Sequence, residues 1–292
     1  MQSPLPILAL LFNALVWGLS WWPFRAMHGA GLHPLWATAL MYCIVLLGLL
    51  ATRPGTLRLA LQHPALWLLA FSSGLNNVAF NWAVTVGDVV RVILLFYLMP
   101  AWAVLLAWRI LGERPTPMAL ARLLLAFGGV VLVLLPPEAS WASLARNLSM
   151  ADGLALLGGF MFALTNVLLR RLHTVPGPAR MLAMFGGCCG LALLSALAGA
   201  AAGMVPGFPA FDMAWAGVAL VLSLLLLAGN WALQYGASRL PSGTTAVVML
   251  SEVAFASISS VLLASAQLAP RTLLGGALIM LAALLAALQR RN

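Results

Sequence analysis

The sequence predicts an all-α membrane protein: ten transmembrane helices laid out as two inverted repeats of five. Three observations predict it. The composition is too apolar for water, the apolar runs have the length of a bilayer, and the chain resembles itself at an offset of about 150 residues.

Hydrophobic residues make up 63% of the 292 and charged residues only 7%, with a mean hydropathy of +1.04. Soluble domains carry about 25% charged residues, so this much apolar surface has to meet lipid. The net charge of +9 comes entirely from arginines scattered in ones and twos between apolar runs. No basic stretch of five or more occurs, so the charge marks loop ends on one side of a membrane and no nucleic-acid partner is implied. Cys43, Cys188 and Cys189 lie inside apolar runs without CxxC spacing and read as packing residues. His28, His33, His63 and His173 sit near helix ends with no HExxH pair, so no metal or other cofactor is expected. The opening MQSPLPILALLF has no basic stretch ahead of its apolar run and reads as a first span, not a leader.

Taken in order, the apolar runs cover about 6–27, 34–52, 64–86, 90–111 and 117–136, then 151–171, 179–203, 214–236, 243–264 and 271–289. Each is long enough to cross about 30 Å of hydrocarbon as a helix. Breaks such as RPGTLRLALQHP, GERPTP, RRLHTVPGPAR and RLPSG separate them, rich in the Pro and Gly that end helices. GDVVR has to turn tightly between the third and fourth. With the N-terminus inside, cytoplasmic ends collect Arg53, Arg58, Arg109, Arg114, Arg170, Arg171, Arg180, Arg239, Arg290 and Arg291. The other side receives Arg25, Arg91, Arg146 and Arg271, so ten against four places both termini in the cytoplasm.

The repeat divides the chain into 1–147 and 148–292. NNVAFNWAV (76–84) resembles GNWALQYGA (229–237), aligning Asn77 with Asn230 and Asn81 with Gln234. VWGLSWWPFR (16–25) falls over MFALTNVLLR (161–170), and LMPAWAVLLAWRIL (98–111) over LSEVAFASISSVLL (250–263), pairing Pro100 with Glu252. Five spans per copy is an odd number, so the second copy enters from the opposite side. Transporters built this way bind substrate near the midplane between the halves.

These residues carry a resemblance. WGLSW in the first span and YLMPAWAVLLAWRILGERPT closing the fourth resemble the EamA-type drug/metabolite transporter superfamily over essentially the whole chain. LSEVAFASISS in the ninth span resembles the YddG-type exporters of aromatic and other neutral amino acids. The resemblance implies export across a bacterial cytoplasmic (inner) membrane by alternating access. The chain departs from the common pattern where Glu252 stands opposite Pro100 and Ser265 opposite Glu113.

The residues point inward on their own account. Asn77 and Asn81 share a helix face, and Asn230 and Gln234 repeat that spacing. The first span offers Asn13, Trp17 and Trp21 with Ser20 beside them, and the sixth Phe162, Thr165 and Asn166. The ninth offers Thr245, Glu252, Ala256 and Ser259, and the fourth Tyr97 and Trp102. Amides turned to lipid are costly, so they should face the bundle interior, where they either bind substrate or tie helices together. Trp17, Trp21, Tyr97, Trp102 and Phe162 would wall a cavity for a flat side chain, and the amides would meet the carboxylate and ammonium of an amino acid. Trp67, Trp141 and Trp215, near span ends, instead read as an interfacial belt, a reading Trp22 and Trp108 share. Glu252 would anchor the ammonium, carry a coupling proton, or stay protonated as a structural donor.

Other classes fare worse. A serine protease needs a histidine base, and none follows position 173; an aspartyl type needs two midplane carboxylates, and only Glu252 qualifies. No enzyme is expected. The alternatives on the same fold are export of other small metabolites or cationic drugs, or a lipid or nucleotide-sugar carrier. Phosphate cargo would want deep basic residues, and Arg91 and Arg122 are both off-centre. Oligomeric state stays open, a monomer included. The topology predicts that a cysteine at Ser143, in a chain without its native cysteines, is labelled from outside intact cells while one at Thr174 is protected; the reverse pattern overturns it.

Overall fold

The computed structural model describes residues 4–52, 54–112, 117–134, 148–172, 174–237, 239, 248–249, 251–264 and 269–288. Every regular element among them is a helix. α1 (Leu5–Leu19) and α2 (Trp21–Gly29) share the first apolar run, and α3 (Pro34–Thr52) fills the second. A short α4 (Thr56–Leu61) lies in the following break, ahead of α5 (Leu66–Val86). α6 (Val89–Phe96) and α7 (Met99–Leu106) share the fourth run, which closes in a π-helical turn over Ala107–Leu111; α8 (Pro117–Leu134) follows. The second half carries α9 (Met150–Arg171), α10 (Gly177–Ala201), α11 (Met213–Ala237), α12 (Ser251–Ala264) and α13 (Pro270–Leu288).

Among the described residues six stretches are long and apolar enough to cross a membrane: Leu5–Gly29, Pro34–Thr52, Val89–Leu111, Met150–Arg171, Gly177–Ala201 and Met213–Leu233. Helices lie in each of the ten segments expected from the sequence, and six of them pass on length and hydropathy among the described residues. α5 is long enough, but Ser72, Ser73, Asn76, Asn77 and Asn81 lower its hydropathy. α12 offers only 14 described residues.

Two of the helices expected to be continuous are broken, each next to a proline. Pro23 has no N–H for the carbonyl of Leu19, and at the break the Ser20 hydroxyl donates to Trp17 O at 2.7 Å. Pro100 likewise leaves the carbonyl of Phe96 without a helical donor, and the chain turns at Tyr97–Leu98. Gly159 of α9 faces that carbonyl: a Cβ there would lie 2.5 Å from Phe96 O, so only glycine permits the approach. The tight turn expected at GDVVR is present, with the Asp88 side chain accepting from Arg91 N at 2.8 Å to cap α6. Gly112 ends the fourth run in a left-handed conformation, φ 74°.

The principal helix contacts cross between the halves. α5 packs on α9 and α10, α3 on α10 and α11, α1 on α11 and α12, and α8 on α13. Small residues set the closest approaches, as lipid-embedded packing requires. Gly74 and Gly187 bring α5 and α10 into backbone contact, and a Cβ at Gly18 would sit 2.8 Å from the carbonyl of Glu252.

An ion pair ties the N-terminus of α6 to that of α9. Arg91 Nε donates to Asp152 Oδ1 at 2.7 Å and Nη2 to Oδ2 at 2.9 Å. Asp152 is buried and also accepts from Ser149 N at 2.8 Å, closing a capping box at the start of α9. Removing one member of a buried pair costs about 3–5 kcal/mol, and Arg91 keeps 28% of its side chain exposed, which screens part of that. Arg91→Ala should lower stability by about 2 kcal/mol, and adding Asp152→Asn, which relieves the charge and keeps the cap, should restore more than half. Thermal unfolding in detergent checks this, and an additive double variant refutes the coupling.

Candidate functional site

Some of the residues singled out in the sequence come together where α1, α6 and α12 meet. α12 turns Glu252, Ala256 and Ser259 inward, all buried. The break after Phe96 carries the Tyr97 hydroxyl to 3.1 Å from Glu252 Oε2 and 3.3 Å from Met249 O. A hydroxyl has one proton and two lone pairs, so the pair has two arrangements. Tyr97 donates to an ionised Glu252, or it donates to the Met249 carbonyl while accepting from a protonated Glu252. Asn13 Nδ2 lies 3.6 Å from Met249 Sδ, joining α1 to the same cluster. Trp21 is buried, and its Nε1–H donates to Ser259 Oγ at 3.0 Å. Arg25 covers its ring at 5.2 Å.

Aromatic rings continue from there. Trp17 meets Phe80 edge-on at 6.4 Å, Phe80 lies 4.7 Å from Phe96, and Phe96 contacts Phe162 at 5.5 Å and Tyr97 at 6.2 Å. Trp17, Trp21, Tyr97, Phe162 and Glu252 thus fall in one neighbourhood, within or against one core. Phe80, Phe96 and Met249 belong to it and carried no sequence signal, because apolar residues in an apolar run have no contrast.

The other expected residues lie elsewhere. Asn77 accepts from the Tyr42 hydroxyl and donates to Ser73 O at 2.9 Å and Cys188 Sγ at 3.2 Å, so it ties α3, α5 and α10 together. Asn81 donates to Thr38 Oγ1 at 3.1 Å. Trp102, by contrast, packs against the same core as Trp17 and Phe162, where it stands between Phe127 and Phe160, 5.8 and 5.6 Å away. Asn166 is exposed and donates along its own helix to Phe162 O at 3.0 Å. Asn230 is half-buried in α11, and the side chain of Gln234 lies outside the described residues, as do Thr245, Trp141 and His173. Trp22, Trp67 and Trp108 are exposed, whereas Trp215, read as an interfacial residue, is buried. Its Nε1–H is turned back to Ala210 O at 3.2 Å, and Phe208 and Phe211 cover it.

Buried polar atoms without a partner among the described residues are Oδ1 of Asn13, Asn76 and Asn81, Nε1 of Trp102 and Nε of Arg180. Among the described residues no three His, Cys, Asp or Glu side chains converge as metal ligands. His33, between α2 and α3, accepts from Leu35 N at 3.3 Å; burial, with the nearby His28 second, lowers its pKa, so it stays neutral at physiological pH.

Helices of this length and hydropathy, with polar groups turned inward, define a multi-pass membrane protein. Residues 4–135 match the EamA-like transporter family. No curated protein matches the chain. A solved structure described only as "Crystal structure of protein" is 20% identical, covers 96% of each chain and superposes with a TM-score of 0.61, a likeness of fold.

The pairing of Tyr97 with Glu252 predicts a stability effect. Tyr97→Phe removes the donor from a buried carboxyl and should cost about 2 kcal/mol, while Ser259→Ala, which strands the Trp21 N–H, should cost about 1 kcal/mol. Chemical denaturation in mixed micelles compares the two; equal stability of Tyr97→Phe and the parent would dissolve the pair.

Proposed function

We propose that the chain is an inner-membrane transporter that exports aromatic and other neutral amino acids by alternating access. Its ten helical segments act as two inverted five-helix repeats, 1–147 and 148–292. The observation that carries the reading is the buried Tyr97–Glu252 pair, set among Trp17, Trp21, Phe80, Phe96 and Phe162 where helices of the two halves meet. The carboxyl meets the substrate ammonium, and the rings hold a flat or branched side chain. The unpartnered amide oxygen of Asn13, in the same cluster, supplies a further acceptor. The family match over 4–135 supports the transporter class.

The contact pattern supports the repeat. Let α1–α2 correspond to α9, α3 to α10, α5 to α11, α6–α7 to α12 and α8 to α13. Then α1 on α11 has its counterpart in α9 on α5, and α1 on α12 in α9 on α6 and α7. The contacts α3 on α10, α6 on α12 and α8 on α13 map onto themselves. The correspondence is incomplete: α5 packs along α10 far more extensively than α3 packs along α11, and α3 packs on α5 with no comparable contact between α10 and α11 among the described residues. A carrier that rocks two halves about a fixed site makes and breaks such equivalent contacts in turn.

The two arrangements of the Tyr97 hydroxyl let Glu252 gain or lose a proton without stranding a buried group, which is what substrate–proton linkage requires. Proteoliposomes loaded with phenylalanine should exchange labelled phenylalanine, tryptophan, methionine or leucine and leave a nucleotide sugar outside; uptake of the nucleotide sugar alone ends the reading. Glu252→Gln cannot ionise and should slow exchange about tenfold, the loss of one charge-assisted contact, and flatten its dependence on pH. Parent-like exchange by Glu252→Gln at every pH from about 5 to 8 removes this carboxyl from the mechanism.

A further inference from the structure

An apolar groove on the outside of the bundle lies away from the Tyr97–Glu252 site, between the end of α3, the short α4, the start of α5 and the middle of α10. It has a volume of about 440 Å³, and its walls include Leu50, Leu61, Trp67, Phe71, Gly186 and Leu194. Along α10 the lining runs from Leu182 to Leu194, which at 1.5 Å per residue is about 18 Å. One leaflet of a bilayer is about 15 Å of hydrocarbon. The groove therefore has the length of an acyl chain lying parallel to the helices.

Its floor is smooth by composition. A Cβ added at Gly186 or Gly190 meets nothing within 4 Å, so these glycines leave open space and are not packing contacts. Two arginines neighbour its lining residues along the chain. α4 closes one end and carries Arg58, exposed, between lining residues Leu57 and Ala60. Arg180 sits one turn before Ala183 and on the same stripe of α10 as Gly187 and Leu191, which line the groove. Its Nη1 donates to Leu169 O at 3.4 Å, and its buried Nε has no partner among the described residues. No acidic residue occurs in α3, α4, α5 or α10 to neutralise either arginine. The exposed Trp67 stands at the same level, where indoles favour the headgroup layer.

We propose that this groove is a binding site for one anionic phospholipid, its acyl chain along α10 and its phosphate at Arg58 and Arg180. The lipid belongs to the leaflet on the arginine-rich side, and the site is independent of what the protein transports. Each arginine near the surface contributes about 1 kcal/mol to holding an anionic headgroup, equivalent to about fivefold in affinity.

Native mass spectrometry of the full chain in detergent tests this, with phosphatidylglycerol and phosphatidylcholine of identical acyl chains titrated in parallel. The expected result is one tightly retained phosphatidylglycerol per chain and weaker retention of phosphatidylcholine. Arg58→Gln with Arg180→Gln should erase the preference, a loss of about 25-fold for phosphatidylglycerol, and weaken phosphatidylcholine, whose choline cancels the headgroup charge, far less. Gly186→Leu with Gly190→Leu fills the groove and should reduce retention of both lipids. Equal retention of the two lipids by the parent overturns the proposal, as does phosphatidylglycerol binding that neither pair of substitutions changes. A concentration-dependent dimer abolished by the leucine pair would assign the groove to a second copy and overturn it as well. If the leucine pair fails to fold, the arginine pair decides alone.

Discussion

A carboxyl group carried into the hydrocarbon layer has to find a partner there, and Glu252 finds the hydroxyl of Tyr97. Much of the central geometry follows from that one contact. Tyr97 faces α12 because the fourth apolar run is broken after Phe96, where Pro100 offers no N–H. The break exposes the Phe96 carbonyl, and Gly159 lets α9 close over it. On the other side Gly18 lets α1 lie against the backbone of Glu252 itself. One proline and two glycines thus allow one carboxylic acid to sit where it does.

The same arrangement makes the halves interdependent. α1 has its main partners in α11 and α12, and α5 has its main partners in α9 and α10. The bidentate Arg91–Asp152 pair repeats the theme with charge, joining the first turn of α6 to a capping carboxylate of α9. Among the described residues every core cluster draws on both halves. The halves approach each other most closely at small side chains, Gly74 against Gly187 among them.

The positions of the helices were legible in the sequence because apolar runs bounded by Pro, Gly and Arg leave few other readings. α3 occupies the residues expected of it, and most other described ends fall within a few residues. Side-chain partners were much less legible. In a helix apolar on every face, periodicity has no polar side to set the rotation, so Phe80 and Phe96 were invisible while Glu252 stood out. The amides show the reverse problem. Asn77 and Asn81 are as conspicuous as Glu252, yet Tyr42, Cys188 and Thr38 occupy them as ties between helices. Trp215 sits near a helix end like an interfacial residue, but Phe208 and Phe211, outside any apolar run, fold back to bury it. Composition reports which groups need partners; only the folded chain reports which ones have found them.

The sequence separation of these contacts also bears on how the molecule is made. Tyr97 and Glu252 are 155 residues apart, Asn13 and Met249 are 236, and Trp21 and Ser259 are 238. At about 5–20 residues per second, a ribosome takes roughly ten seconds to a minute to cover such gaps. For that interval the earliest helices are already inserted while their protein partners do not exist. Lipid and the insertion machinery must stand in for α11 and α12 around α1, and Arg91 has to wait for Asp152. A premature stop near the end of the message would therefore strike the beginning of the protein, stripping α1 of the surface against which it settles.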